Sequence, residues 1–180
     1  MKRWTMTSLL IVSVSLLNGR AVYAQEHGET GLTMGYPASV GLVWQPSDSF
    51  ALRPEFSFAT TSIDSSSTGL RDSNSLGVGL SGLFYVGKWE SLSTYVSPRF
   101  VYNRLSTSPS GGSTQSNAYS VTGSFGTQYA LSRRFGVFGE VGIGYSHGHQ
   151  EFETSSTFLN STIDTDSWNT RTGVGLMLYF

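Results

Sequence analysis

The chain predicts an all-β fold: an eight-stranded antiparallel transmembrane β-barrel with a short first strand, preceded by a cleaved signal peptide. Three observations predict it. From Tyr36 to Phe180 the apolar residues recur with period two, not 3.6, the spacing of strands whose two faces meet different surroundings. The second face is Gly, Ser and Ala, whereas the wet face of a soluble sandwich carries Lys, Glu and Thr. Small residues suit the crowded inside of a narrow barrel, which leaves the apolar face for lipid. Charged residues make up only 13% of the 180, against about a quarter in an ordinary soluble domain. There is no cysteine, which excludes a disulfide scaffold and a thiolate metal site.

The amino terminus reads as a leader. Lys2 and Arg3 precede the apolar run Leu9 to Leu17, interrupted only by Ser13 and Ser15, and Val22-Tyr23-Ala24 ends on a small residue before Gln25, the layout of a secretory signal peptide. The run is roughly half of the ~20 residues that span a bilayer as a helix. The division is therefore 1–24 signal peptide and 25–180 barrel domain. All 12 acids lie beyond the leader, whereas Lys2, Arg3 and Arg20 of the 11 cations lie in it. The mature chain is thus acidic, which argues against nucleic acid as a partner.

The strands follow in order. Bacterial barrels of this kind have even strand numbers, and seven segments are plain, so an eighth belongs between Gln25 and Gly35. Thr30, Leu32 and Met34 against Gly31 and Thr33 supply it, with Gly35-Tyr36-Pro37 as a tight external turn. Ala38 to Trp44 then descends. Phe50, Leu52, Pro54, Phe56 and Phe58 oppose Ala51, Arg53, Glu55, Ser57 and Ala59, and Leu76, Val78, Leu80 and Phe84 oppose Ser75, Gly77, Gly79 and Ser81. The split recurs over Leu92 to Arg104, where Val101 is an apolar exception, and again over Tyr119 to Tyr129, Phe135 to Tyr145 and Trp168 to Phe180. Six segments of ~10 residues or more match what a tilted strand needs to cross.

The connections alternate in length. Gln45 to Ser49, Val86 to Ser91 and Leu131 to Arg134 are short; Ser62 to Asn74, Leu105 to Ser116 and His147 to Ser167 are long. Short periplasmic turns and long external loops are the outer-membrane arrangement, and the Ser/Thr-rich long segments read as solvated, mobile loops. Aromatics gather into two girdles, Trp44, Phe50, Phe84, Tyr129, Phe135 and Phe180 low, Tyr36, Tyr102, Tyr119, Tyr145 and Trp168 high.

At this point the chain resembles the small outer-membrane β-barrel domain family, the eight-stranded type of OmpX and the OmpA barrel, over Gln25 to Phe180. The hairpin Ala38 to Trp44 followed by Phe50 to Phe56 looks like that family's second and third strands. The chain end, Gly175-Leu176-Met177-Leu178-Tyr179-Phe180, is similar to its C-terminal insertion signal, with Gly175, Leu178 and Phe180 as the residues concerned, although Gly173 stands where that signal usually has a polar residue. The resemblance implies location in the bacterial outer membrane, and as partners outer-membrane lipid and the barrel-assembly machinery.

The residues that could carry chemistry are few. Arg53, Glu55, Arg99, Glu140 and Arg171 share the inner face, and a charge inside a membrane barrel is costly unless paired. The expectation is a salt-bridge plug, since an eight-stranded lumen is just wide enough for side chains to fill. Arg99 and Arg171 are the expected partners of Glu140, because Arg53 has Glu55 two residues along its own strand. His147, His149, Glu151 and Glu153, at spacing two, form a weak metal candidate, weighed against a solvated loop stem. His147, Asp164 and Asp166 share the longest connection with many serines, but no Gly-x-Ser-x-Gly or HExxH occurs. Gly77-x-Gly79 and Gly142-x-Gly144 lie in alternating strands with no following helix to cradle phosphate.

The sequence therefore predicts a non-enzymatic, monomeric outer-membrane barrel that needs no cofactor and presents polar Ser/Thr-rich loops to an unspecified extracellular ligand, its lumen closed by paired charges. A narrow passive channel is the alternative, and a loop-borne lipid-modifying enzyme the third class.

Overall fold

The computed structural model of the protein describes residues 29–36, 39–65, 69–109, 112–154 and 161–180; the leader segment 1–24 lies outside them. The alternation in sequence becomes eight strands: β1 Thr30–Tyr36, β2 Ser39–Ser47, β3 Phe50–Ser65, β4 Gly69–Trp89, β5 Leu92–Pro109, β6 Gly112–Ala130, β7 Phe135–Thr154 and β8 Ser161–Tyr179. Each pairs antiparallel with the next, and β1 pairs with β8 to close the barrel. The short first strand lies in the segment the sequence indicated but runs on through Gly35 and Tyr36, which were expected in the turn and instead pair with Gly175 and Val174; Met34 faces outward.

The register fixes the stagger. Met34 is level with Val40, Phe56, Val78, Tyr102, Tyr119, His147 and, on β8, Asp166, yet its direct partner on β8 is Leu176. One circuit therefore shifts the register by the ten residues between Asp166 and Leu176. Ten residues of stagger over eight strands correspond to a tilt of about 40°.

Two further expectations are corrected. The long connections are mostly strand: β3 and β4 stay paired as far as Ser65 and Gly69, β5 and β6 as far as Thr107 and Thr114, and β7 and β8 as far as Phe152 and Ser161. Thr-rich sequence is good strand sequence once a neighbour supplies a ladder, so the exterior carries extended hairpins where loops were expected. Tyr36 does not stand in the upper girdle. It pairs with Val174, six residues below Trp168 on β8, so it sits on the order of 10 Å lower than the ring of Tyr102, Tyr119, Tyr145 and Trp168.

Burial follows parity. Val43, Ala51, Leu83 and Met177 point inward with no exposure, while Leu42, Phe56, Leu80 and Val121 are about half exposed on the outer face. The lumen is stacked in layers. Val43, Ala51, Leu83, Tyr95, Phe138, Met177 and Tyr179 form an apolar layer in the periplasmic half. Gln128 links Tyr179 of this layer with Tyr85, which packs against it, accepting from Tyr85 Oη at 3.2 Å and donating to Tyr179 Oη at 3.0 Å. The charged residues come next, and above them the inner face returns to small and polar residues such as Ser57, Ser75, Thr122, Gly144 and Ser146. Glycine makes room for the large rings: Tyr95 lies opposite Gly126 and Phe138 opposite Gly175. A Cβ at Gly126 would come within 2.5 Å of the Tyr95 ring.

Candidate functional site

The five inner-face charges are brought together at the middle of the barrel, each placed by strand parity and held by its neighbours' ladders. Arg53 and Glu55 come from β3, Arg99 from β5, Glu140 from β7 and Arg171 from β8. Arg53 Nη2 donates to Glu140 Oε1 at 2.6 Å. Because β3 and β7 are four strands apart in a ring of eight, this bond runs from one wall of the lumen to the opposite wall. Both side chains are almost fully excluded from solvent, at 1% and 2% exposure.

The rest of the network alternates in sign. Arg53 Nε approaches Glu55 Oε1 at 3.1 Å, an ion-pair contact whose angle is poor for a hydrogen bond. Arg99 Nε donates to Glu55 Oε2 at 2.6 Å, with Nη2 on the same oxygen. Arg171 Nη1 donates to Glu140 Oε2 at 3.2 Å. The order is thus Arg99, Glu55, Arg53, Glu140, Arg171, each carboxylate lying between two guanidiniums. Charge-assisted bonds of this kind offset the desolvation that would otherwise exclude ions from such a site. The sum is three cations against two anions.

The expected partnership of Arg99 with Glu140 does not form. Arg53 and Arg99 are both level with Ser81 on β4, so both guanidiniums lie beside Glu55, and Arg53 alone also crosses to Glu140. Arg171 does meet Glu140, from the adjacent strand. Two residues outside the sequence reading of the cluster complete it. Tyr95 Oη donates to Glu140 Oε1 at 2.9 Å, and the Arg53 guanidinium carbon lies 5.0 Å over the Phe138 ring, a cation–π approach. Their signal was in the sequence: Tyr95 alternates with Ser93 and Ser97, and Phe138 with Gly136 and Gly142, so each is a large ring on the small-residue face of its own strand.

The histidine row stands on the outer face, above the girdle. His147 Nδ1 lies 2.7 Å from Asp166 Oδ1, and His149 Nδ1 lies 2.5 Å from Asp164 Oδ1. Tyr145 Oη donates to Asp166 as well, at 2.5 Å. The hydrogen bond to Asp164 raises the His149 pKa above its ordinary 6.5, and the bonds from Tyr145 and His147 lower that of Asp166. Each histidine thus commits its Nδ1 to a carboxylate one strand away, and His149 Nε2 lies 3.4 Å from Glu151 Oε1 on its own strand. Among the described residues no cluster of three or more His, Cys, Asp or Glu is placed to hold a metal. Nor does a serine join them: Ser146 and Ser167, level with each other, bond across the inner face, the opposite side of the sheet from His147 and Asp166.

At the chain end, Leu178 and Phe180 face lipid, at 47% and 72% exposure. Gly175 faces inward, and a Cβ there would collide with the Phe138 ring and the Met34 carbonyl, so packing alone requires glycine at this position.

No family model matches the chain, and no curated protein matches it in sequence. Solved structures do match in fold. A major outer membrane protein from Thermus thermophilus superposes with a TM-score of 0.59 at 13% identity, covering 84% of this chain and 98% of that one. The N-terminal β-barrel domain of Pseudomonas aeruginosa OprF superposes with a TM-score of 0.54 at 12% identity, covering 87% and 100%. The fold is therefore that of the eight-stranded outer-membrane barrels.

Proposed function

We propose that this protein is a non-enzymatic resident of the bacterial outer membrane, exported with loss of residues 1–24. Its lumen is closed by the Arg–Glu network, and its Ser/Thr-rich strand extensions are presented outside. The observation that carries the closed lumen is the Arg53–Glu140 bond between opposite walls. Beneath it lies the layer of Leu83, Tyr95, Phe138 and Met177, none more than 9% exposed. Ions or solutes would have to break the bond and then displace the layer. What supports a membrane location is the row of half-exposed apolar residues on every strand, Met34 on β1 and Val, Leu, Ile and Phe on the others, between two aromatic girdles.

The function that follows is passive. Lipid holds the barrel by its outer face, the barrel-assembly machinery is the partner that inserts it, and the polar hairpins above the girdle supply the surface for an extracellular partner. Refolded protein in vesicles tests this: boiling should shift its gel mobility, as for a barrel closed by the β1–β8 ladder, and the vesicles should not swell in an iso-osmotic small sugar. Swelling with the shift intact would replace the closed lumen by a channel.

A further inference from the structure

The barrel wall is not of even height. The β1–β8 ladder ends at the pair Tyr36 and Val174, and the β2–β3 ladder at Val40 and Phe56. Their neighbours continue, β8 with β7 up to Ser161 and β3 with β4 up to Ser65. Above Tyr36 and Val40, then, β8 from Gly173 upward and β3 from Ser57 upward have a strand partner on one side only among the described residues, and a notch two strands wide separates them. From Ser161 to Thr170 every residue of β8 is exposed, inward-facing ones included, whereas Gly144 on the inner face of β7 is buried. The foot of the notch lies on the order of 10 Å below the upper girdle, within the outer leaflet.

Bare strand edges at that depth need water or polar partners for their N–H and C=O groups, and the notch is fitted for it. On the outer face beside it Thr170 and Thr172 on β8, where Val174 and Leu176 stand lower down, and Thr60 on β3 supply hydroxyls, next to the exposed rings of Phe58 and Trp168. Inside, it opens on the polar upper lumen, whose floor is the ion network with its surplus cation. Arg171 stands at the foot: a Cβ at Gly173 would lie 3.7 Å from both Arg171 Nη2 and the Tyr36 carbonyl oxygen. Arg171 gives Nη1 to Glu140, while Nη2 has no side-chain partner among the described residues. Outside, a shallow apolar groove of 690 Å³ begins at Tyr36 and Met34 and crosses the outer face sideways over Val174 and Leu176 on β8 to Gly139 on β7 and Tyr129 on β6.

We propose that the notch is the mouth of a binding site for an anionic single-chain lipid of the outer leaflet. The acidic headgroup enters sideways and is held by Arg171, with Arg99 beside it, and the acyl chain leaves past Tyr36 and Val174 into the groove. Charge complementarity selects the headgroup, the missing wall admits it without crossing the extracellular mouth, and the groove takes the chain. The site rests on the closed, charged floor, so the ligand is held and does not pass through.

Trp168, on the lipid face beside the notch, is the natural reporter. Mature protein carrying Trp44→Phe and Trp89→Phe, refolded in phosphatidylcholine vesicles, is titrated with dibromostearic acid and separately with dibromostearyl alcohol. The acid should quench Trp168 saturably and at about tenfold lower concentration than the alcohol, as for a headgroup that gains a charge-assisted hydrogen bond. Arg171→Met should abolish the difference between the two probes, and Arg171→Lys should keep it. Gly173→Leu, which obstructs the foot while leaving all five charges in place, should remove saturation, so the proposal is decided even if Arg171→Met does not fold. Quenching that is alike for acid and alcohol and merely proportional to their content in the vesicle would overturn the proposal. An ion leak across the same vesicles would instead remove the closed floor, and the two failures are thereby distinguished.

Discussion

Glu140→Gln removes the charge at the centre of the network while keeping the shape of the side chain. The wild-type carboxylate accepts three bonds, from Arg53 at 2.6 Å, Tyr95 at 2.9 Å and Arg171 at 3.2 Å. After the substitution the amide oxygen can still accept from Arg53, itself 1% exposed, but it carries no charge, which leaves Glu55 as the one counter-charge in contact with Arg53 among the described residues. Breaking a buried pair costs about 3 to 5 kcal/mol because the survivor's charge remains buried. Arg171 is 17% exposed and can rehydrate from the upper lumen, which places the expected loss at the lower end, about 3 kcal/mol. Urea unfolding in lipid vesicles, read by gel mobility and tryptophan fluorescence, measures it. Double-mutant cycles then carry the discrimination: Glu140 should couple with Arg53 and, more weakly, with Arg171. With Arg99, whose bonds go to Glu55, it should be additive within about 0.5 kcal/mol. A loss under about 1 kcal/mol, or coupling to Arg99 as large as to Arg53, would refute the arrangement.

Three other perturbations test other levels of the structure. Gly126→Ala should destabilise by about 1 to 3 kcal/mol, since the new methyl meets the Tyr95 ring and the core is already filled; the same unfolding assay detects it, and unchanged stability would mean the ring is free to move aside. Deleting Phe180 should slow appearance of the heat-modifiable form in pulse-labelled cells while export continues, and normal assembly would remove its role in insertion. The imidazole of His149, titrated by proton NMR, should show a pKa above 6.5. A raised value means that the His149–Asp164 pair favours the folded state fully below the ordinary pKa and loses that contribution as pH rises through the raised one; a value at or below 6.5 would show that the pair does not form in solution.

Much of this architecture was legible because a barrel turns parity into environment. Each residue on the face of Arg53 and Glu55 points into the lumen and each on the face of Phe56 points to lipid, so the charge cluster, the girdles and even the short β1 followed from alternation and strand count. Partner choice did not follow, because it depends on the ten-residue stagger, which no single strand encodes. Arg99 and Glu140 share the inner face, yet the register sets Arg99 level with Arg53 and Glu140 level with Tyr95. The external hairpins were read as loops because their Ser and Thr residues lack an apolar alternation; above the membrane both faces are wet, so the pattern disappears although the ladder does not. The notch escaped for the opposite reason: a short β1 and β2 were visible, but only the register shows how far β3 and β8 rise beyond them.

The central claim is that a wall-to-wall ion pair over an apolar layer closes the lumen. Single-channel recording of the purified, refolded protein in a planar bilayer addresses it directly. The wild type should give no current steps above the bare-lipid baseline, with any conductance confined to variants that break the Arg53–Glu140 bond. Stable ohmic steps from the intact wild type would contradict it and make the five charges the lining of a pore.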